Sequence, residues 1–180
     1  MEEQVIGDKN VFAVGFSFHD KQHVTELSMY VRGKNILAFN RAAEDMTTCW
    51  NLDELAEWLR AFLNGMQQDP YPVEVAGRFA AEKDVNARTY DTDDMEAFDA
   101  YYDALDDWNA RHRWHTASAG AILADVYFQS KGDTVEISWN NQDAPDEIKF
   151  QEQIGGTAVL KDVFVKVVDA FLQAYAEYWF

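Results

Sequence analysis

The apolar residues of this chain switch period from two to about 3.6 and back, and each switch marks a change of element. Between residues 10 and 18, Phe12, Val14, Phe16 and Phe18 alternate with smaller side chains. A period of two places all four on one face of a strand. After a polar turn over 19–23, residues 24–31 alternate again, with Leu27, Met29 and Val31 on one side. Arg32-Gly33-Lys34-Asn35 reads as a tight turn, with Gly33 and Asn35 as the positions that tolerate positive φ. Residues 36–39 supply a third strand, completing an antiparallel meander.

The period then lengthens. Asn51 suits an N-cap and Glu54 follows three residues later, as in a capping box. Leu52, Leu55, Leu59 and Phe62 recur at helical spacing, with Ala56 and Leu63 beside them and Gly65 as the stop. Pro70 and Pro72 interrupt the next stretch, where 73–83 suits a short helix and 84–93 a polar loop. A second helix is predicted over about 94–112. At ~100° per residue, Met95, Phe98, Tyr101, Tyr102, Leu105 and Trp108 share one arc. Glu96, Asp99, Asp103, Asp106 and Asp107 share the opposite arc.

Period two returns over 122–139 through Val126, Phe128, Val135, Ile137 and Trp139, with a hairpin turn at Lys131-Gly132-Asp133. A polar loop over 140–146 leads to a strand at 148–151, ended by Gly155-Gly156. The last helix is expected over about 157–178, with Leu160, Phe164, Val167, Phe171 and Tyr175 as its apolar stripe. Runs of strands followed by helices predict the α+β class. The expectation is an antiparallel sheet of about six strands, in two three-stranded meanders, with three main helices in one domain over 1–180. Its core would set Phe12, Val14, Phe16, Val126, Phe128 and Ile137 against Leu55, Leu59, Phe98, Leu105, Phe164 and Phe171.

Composition narrows the function. The 180 residues include 32 acidic and 15 basic ones, for a net charge of −17. Such a surface repels phosphate backbones and anionic membranes and attracts basic partners: a cationic protein, a metal ion or a cationic ligand. Cys49 is the single cysteine, which excludes an intramolecular disulfide and a cysteine-based zinc site. The acidic N-terminal residues lack the basic region and apolar run of a secretion signal, and no stretch reaches the ~18 apolar residues of a membrane span. A cytoplasmic location is expected.

No phosphate-binding loop, dinucleotide fingerprint, zinc-protease motif or nucleophile elbow is present, so no cofactor and no catalytic residue is assigned. Ser118 and Ser138 lack an elbow, and Cys49 suits packing better than nucleophilic attack. His112 and His115 have ligand-like spacing with Asp107 nearby, but two imidazoles make an incomplete site. His112 also continues the apolar arc, which suits a buried, hydrogen-bonded histidine, and no metal is assigned.

The acidic arc and the Trp-rich segment after it are the candidate partner-binding residues: Glu96, Asp99, Asp103, Asp106, Asp107, Trp108, Arg111, Trp114 and His115. The leading reading is a non-enzymatic module of immunity, inhibitor or accessory type that binds a basic protein. A second reading is DNA mimicry directed at a nucleic-acid-binding protein, because the carboxylates span ~17 Å at roughly one per 3–4 Å, close to the ~3.4 Å phosphate spacing of one strand. A third is a small enzyme or ligand sensor using residues 111–115 and Trp139. An ordinary solvated helix face accounts for the same charges.

The stretch from His115 through Ala117, Gly120, Ala124 and Asp125 to Phe128, followed by Gly132-Asp133 and Glu136-Ile137-Ser138-Trp139, resembles a segment of uncharacterised bacterial proteins. Some of these accompany ImmA/IrrE-type metallopeptidase modules. The resemblance spans about residues 108–172 and implies a bacterial accessory or sensing domain. The peptidase motif is absent, so no protease activity or metal site carries over.

Overall fold

The computed structural model describes residues 3–17, 24–114 and 122–179. The turn expected over 19–23, together with Phe18, Ser118 and His115, lies outside the described residues. The elements run β1 (Gln4–Asp8), β2 (Phe12–Ser17), β3 (Val24–Val31), β4 (Lys34–Asn35), β5 (Phe39–Arg41), β6 (Glu44–Met46), β7 (Thr48–Asn51), α1 (Leu52–Gly65), α2 (Ala80–Ala87), α3 (Met95–His112), β8 (Asp125–Lys131), β9 (Thr134–Asn140), β10 (Ile148–Phe150), β11 (Ile154–Leu160) and α4 (Lys161–Trp179).

The fold is α+β with antiparallel pairing throughout. One sheet runs β1-β2-β3-β4, with β7 also paired to β3. A second joins β10, β5 and β6, and a third runs β11-β9-β8. The short strands β4 to β7 exceed what periodicity shows, because two to four residues are too few to display a period. Ile36 and Leu37, expected in a strand, lie fully buried in a turn. The side chain of Asn35 arranges this: its Oδ1 accepts from the N–H of Met29 at 3.2 Å and of Leu37 at 3.1 Å. The positive φ angles fall on Arg32 and Gly33, not Asn35, which is a strand residue.

Asn51 caps α1 as expected, its Oδ1 accepting from Asp53 N at 2.9 Å. Glu54 does not reach back to the cap; it accepts from Trp50 Nε1 at 3.1 Å. The left-handed residue that ends α1 is Met66 (φ 38°), whose N–H bonds Phe62 O, while Gly65 stays helical.

Two further boundaries move. Residues 157–160 are strand, not helix, and Leu160 is 58% exposed at the end of β11. Gly155 and Gly156 lie inside β11 where they were expected to terminate a strand. A Cβ on Gly155 would stand 2.7 Å from Trp139 Cζ2, and one on Gly156 would stand 2.5 Å from Phe79 Cγ. The glycines therefore admit aromatic rings against the strand, which is a packing use of a residue that otherwise marks turns.

The sheet β11-β9-β8 is covered on both faces. The β8–β9 register pairs Val126 with Trp139 and Phe128 with Ile137, and these four face the main core with β2, β3, α1 and α4. The alternate residues Tyr127, Gln129, Glu136 and Ser138 face α2 and α3. A second, smaller cluster there contains Tyr71, Ala80, Ala81, Ala87, Leu105, Trp108 and Tyr127. Leu105 belongs to this cluster, and Phe98, expected in the core, is only half-buried.

The strand sheet also starts α2. Phe79 offers no capping side chain. Instead Glu136 Oε1 accepts from Ala80 N at 2.8 Å and Ser138 Oγ from Ala81 N at 3.2 Å. A carboxylate from a distant strand thus satisfies donors that a local cap usually takes. This places a helix over 80–87, within and beyond the stretch that suited a short helix and into the expected polar loop. Among the described residues, no helix is long and apolar enough to cross a membrane.

Candidate functional site

Helix α3 begins at Asp94, whose carboxylate accepts from Ala97 N at 3.1 Å. Glu96, Asp99, Asp103, Asp106 and Asp107 are all exposed along one side of it. Each step between them is three or four residues except the last, so the carboxylates line up on one stripe. Among the described residues none of the five has an ion-pair partner. Among the described residues, this stripe carries uncompensated charge toward solvent.

The opposite side anchors the helix. Near its start, Tyr101 and Tyr102 donate to Ala87 O at 3.2 Å and Tyr90 O at 3.1 Å, and the rings of Tyr90 and Tyr101 stack at 4.0 Å. Farther along, Trp108 stacks on His112 at 4.0 Å and meets Tyr71 edge-on at 4.9 Å. His112 is fully buried, with Nδ1 2.9 Å from Phe128 O and Nε2 3.4 Å from Asp69 Oδ2. Burial pushes its imidazole below the usual range, against the pull of these two acceptors. Arg111 grips the same Asp69 oxygen at 2.8 Å, and this pairing holds the Asp69 carboxyl below its ordinary value.

The expected aromatic contacts are therefore corrected. Trp108 is 1% exposed and Trp114 0%. Trp114 donates from Nε1 to Ala124 O at 2.8 Å and packs edge-on against Trp50. Both sit where the helix and the segment after it meet the sheet, so neither presents a face to a partner. Arg111 is exposed but committed to Asp69. The aromatics left partly open beside the stripe are Tyr90, Phe98, Tyr101 and Tyr102. The helical phase of Phe98, Tyr101 and Tyr102 reads as core, and only the shallow seating of the first half of α3 leaves them open; Tyr90 lies in the segment before the helix.

Beneath α3 lies a polar layer that the sequence does not announce. Asp84, 2% exposed, accepts from Tyr127 Oη at 3.0 Å and Asn109 Nδ2 at 3.3 Å and pairs with Arg88 at 2.5 Å. Arg88 also reaches Asp143 at 2.8 Å, and Arg113 pairs with Asp125 at 3.1 Å. An open groove of about 350 Å³ runs past Asp106, Asn109, Ala110 and Arg113, joining the acidic stripe to this layer.

The described residues of the enzyme reading do not line a common pocket: His112, Trp114 and Trp139 are buried, and among the described residues of 111–115 only Arg113 lines the groove. Cys49 is exposed rather than packed, and partial burial with Glu26 nearby pushes its thiol pKa up, which disfavours the nucleophilic thiolate. Among the described residues no group of three or more potential metal ligands occurs.

No protein-family model matches the chain, and no curated protein matches it. Among solved structures, the chain is similar to CdiI from Burkholderia dolosa AUO158, with 12% identity and a TM-score of 0.48. The alignment covers 95% of this chain and 99% of that one.

Proposed function

We propose that the protein is a non-enzymatic, acidic binding module of immunity, inhibitor or accessory type, working in the cytoplasm, whose outward face of α3 docks on a basic protein. The observation that carries this reading is the stripe Glu96, Asp99, Asp103, Asp106 and Asp107, exposed and without ion-pair partners among the described residues. Like charges spaced three and four apart on a helix cost stability. A positive partner removes that cost and adds long-range attraction that speeds encounter. The half-open rings of Phe98, Tyr101 and Tyr102 at the edge of the stripe supply the apolar contact that gives affinity.

The test uses the captured partner. A pull-down at low salt, with a high-salt wash, identifies a basic protein, and association is then timed against ionic strength. The expected result is an association rate that falls steeply with salt, and no binding by the variant carrying Asp99→Lys, Asp103→Lys and Asp107→Lys. Unchanged binding by that variant refutes the reading. The same partner separates the DNA-mimic reading: duplex DNA should displace the protein competitively only if the stripe occupies a nucleic-acid site.

A further inference from the structure

A cavity of about 230 Å³ opens between the end of β9, the loop over 141–147 and Phe150 of β10. By volume it holds roughly seven waters, enough for one long side chain. Its walls join Pro145 and Phe150 to Asp125, Asp143, Asn140 and Asn141.

Two of these residues are nearly sealed from solvent and incompletely bonded. Asn140 is 3% exposed and Asn141 5%. Asn140 Oδ1 accepts from Gln142 N at 3.1 Å, and its buried Nδ2 finds no acceptor among the described residues. Asn141 Nδ2 donates to Glu152 O at 2.8 Å, and its buried Oδ1 finds no donor among the described residues. Neither amide improves by flipping: the first would set NH₂ against an N–H, the second a carbonyl against a carbonyl. Both residues line the cavity, while the unmet donor and acceptor themselves lie just behind its surface, out of reach of a water-sized probe, and stay costly until the wall opens to a partner.

The carboxylates give the sign of that occupant. Asp125 Oδ1 pairs with Arg113 and Asp143 Oδ2 with Arg88, which leaves Asp125 Oδ2 and Asp143 Oδ1 without ion-pair partners among the described residues. Asp84, Asp125 and Asp143 outnumber the two arginines, so the local charge is negative. Burial holds the Asp125 carboxyl above its usual range in spite of Arg113, so a further cation there would stabilise its charged form.

We propose that this cavity receives one arginine or lysine of an extended segment of a basic protein. The cationic head meets the Asp125 and Asp143 oxygens that carry no ion pair among the described residues, the stem lies on Phe150 and Pro145, and a small shift of the Asn140 and Asn141 side chains lets the segment's own peptide N–H and C=O reach Asn141 Oδ1 and Asn140 Nδ2. The inference rests on the reading of the protein as a binder of basic partners, and it names a second contact point, reached from α3 by way of Arg113.

The test follows the ¹H–¹⁵N resonances of the full chain during titration with acetyl-arginine amide, acetyl-citrulline amide and inorganic phosphate. The arginine compound should move the side-chain amide signals of Asn140 and Asn141 saturably. Its neutral citrulline isostere should bind about ten-fold or more weakly, the loss expected with one charge-assisted contact. Asp143→Asn, a change at an exposed position, should weaken the arginine compound about as much. Equal response to citrulline, response to phosphate, or no movement of either asparagine overturns the proposal. If the asparagine signals stay still while the α3 charge reversal abolishes partner binding, the cavity assignment falls and the α3 reading stands. If both signals move and that reversal leaves partner binding unimpaired, the cavity assignment stands and the α3 reading falls.

Discussion

Converting Asp99, Asp103 and Asp107 to asparagine should make the protein more stable while it weakens binding. On the stripe of α3 four pairs of like charges stand three or four residues apart: 96 with 99, 99 with 103, 103 with 106, and 103 with 107. Each pair includes at least one of the three substituted positions. At about 0.2–0.5 kcal/mol a pair, their removal returns roughly 1–2 kcal/mol. Asparagine and aspartate have similar helix propensity, so the backbone contributes little of its own. For a domain of this size the gain corresponds to a rise in Tm of about 2–8 °C. Thermal and urea unfolding at low salt measure it directly. The same melts at high salt supply the control, because screening removes exposed repulsion and the gain should shrink toward zero. A variant that melts below the parent, or a gain that persists undiminished in high salt, refutes the idea that the stripe is held against its own repulsion.

Three further outcomes follow from the packing. Ala42 (φ 51°) and Ala43 (φ 67°) hold the two-residue β5–β6 turn in the left-handed region, so Ala42→Asn with Ala43→Gly should stabilise by about 1–2 kcal/mol in urea titrations. Glu136→Ala removes the acceptor for Ala80 N and the partner of Lys131, and should cost about 1–3 kcal/mol, with amide exchange accelerated first in α2. His112 binds fewer protons folded than unfolded, so stability should decline as pH falls below about 6.5 and level off once the folded-state value is passed. Asp69 acts in a lower window, its contribution fading only as pH falls below about 4, and His112→Asn should flatten the first slope alone in urea unfolding from pH 7.5 to 5.

The long periodic segments were legible in the sequence: Phe12 to Phe16, Asn51 to Phe62, the carboxylate arc of α3 and the β8–β9 hairpin all fall where their spacing puts them. The acidic side of α3 was readable because carboxylates clustered on one arc without cations to pair them favour solvent, unlike Asp84 and Glu136, which are buried with a cation each. Its opposite side was not, because helical phase cannot tell how deeply a helix is seated; Phe98 and Trp108 share an arc, and only one is buried. The caps and polar pairs that shape the site were hidden for another reason. Glu136 bonds Ala80 across 56 residues and Asp69 holds Arg111 across 42, and no local pattern reports partners that meet only after folding.

The pairing of β5 with β10 brings Phe39 beside Phe150. During synthesis β1 to β7 can pair as they emerge, but this neighbour arrives more than a hundred residues later, and α4, which covers β2, later still. Until then the nascent chain carries an unpaired strand edge and an uncovered apolar sheet, the two features that most invite a wrong partner. A fragment ending at residue 147 should therefore bind more apolar dye and self-associate more than the full chain; a fragment that matches the full chain in both would show that β1 to β7 do not need the late strand.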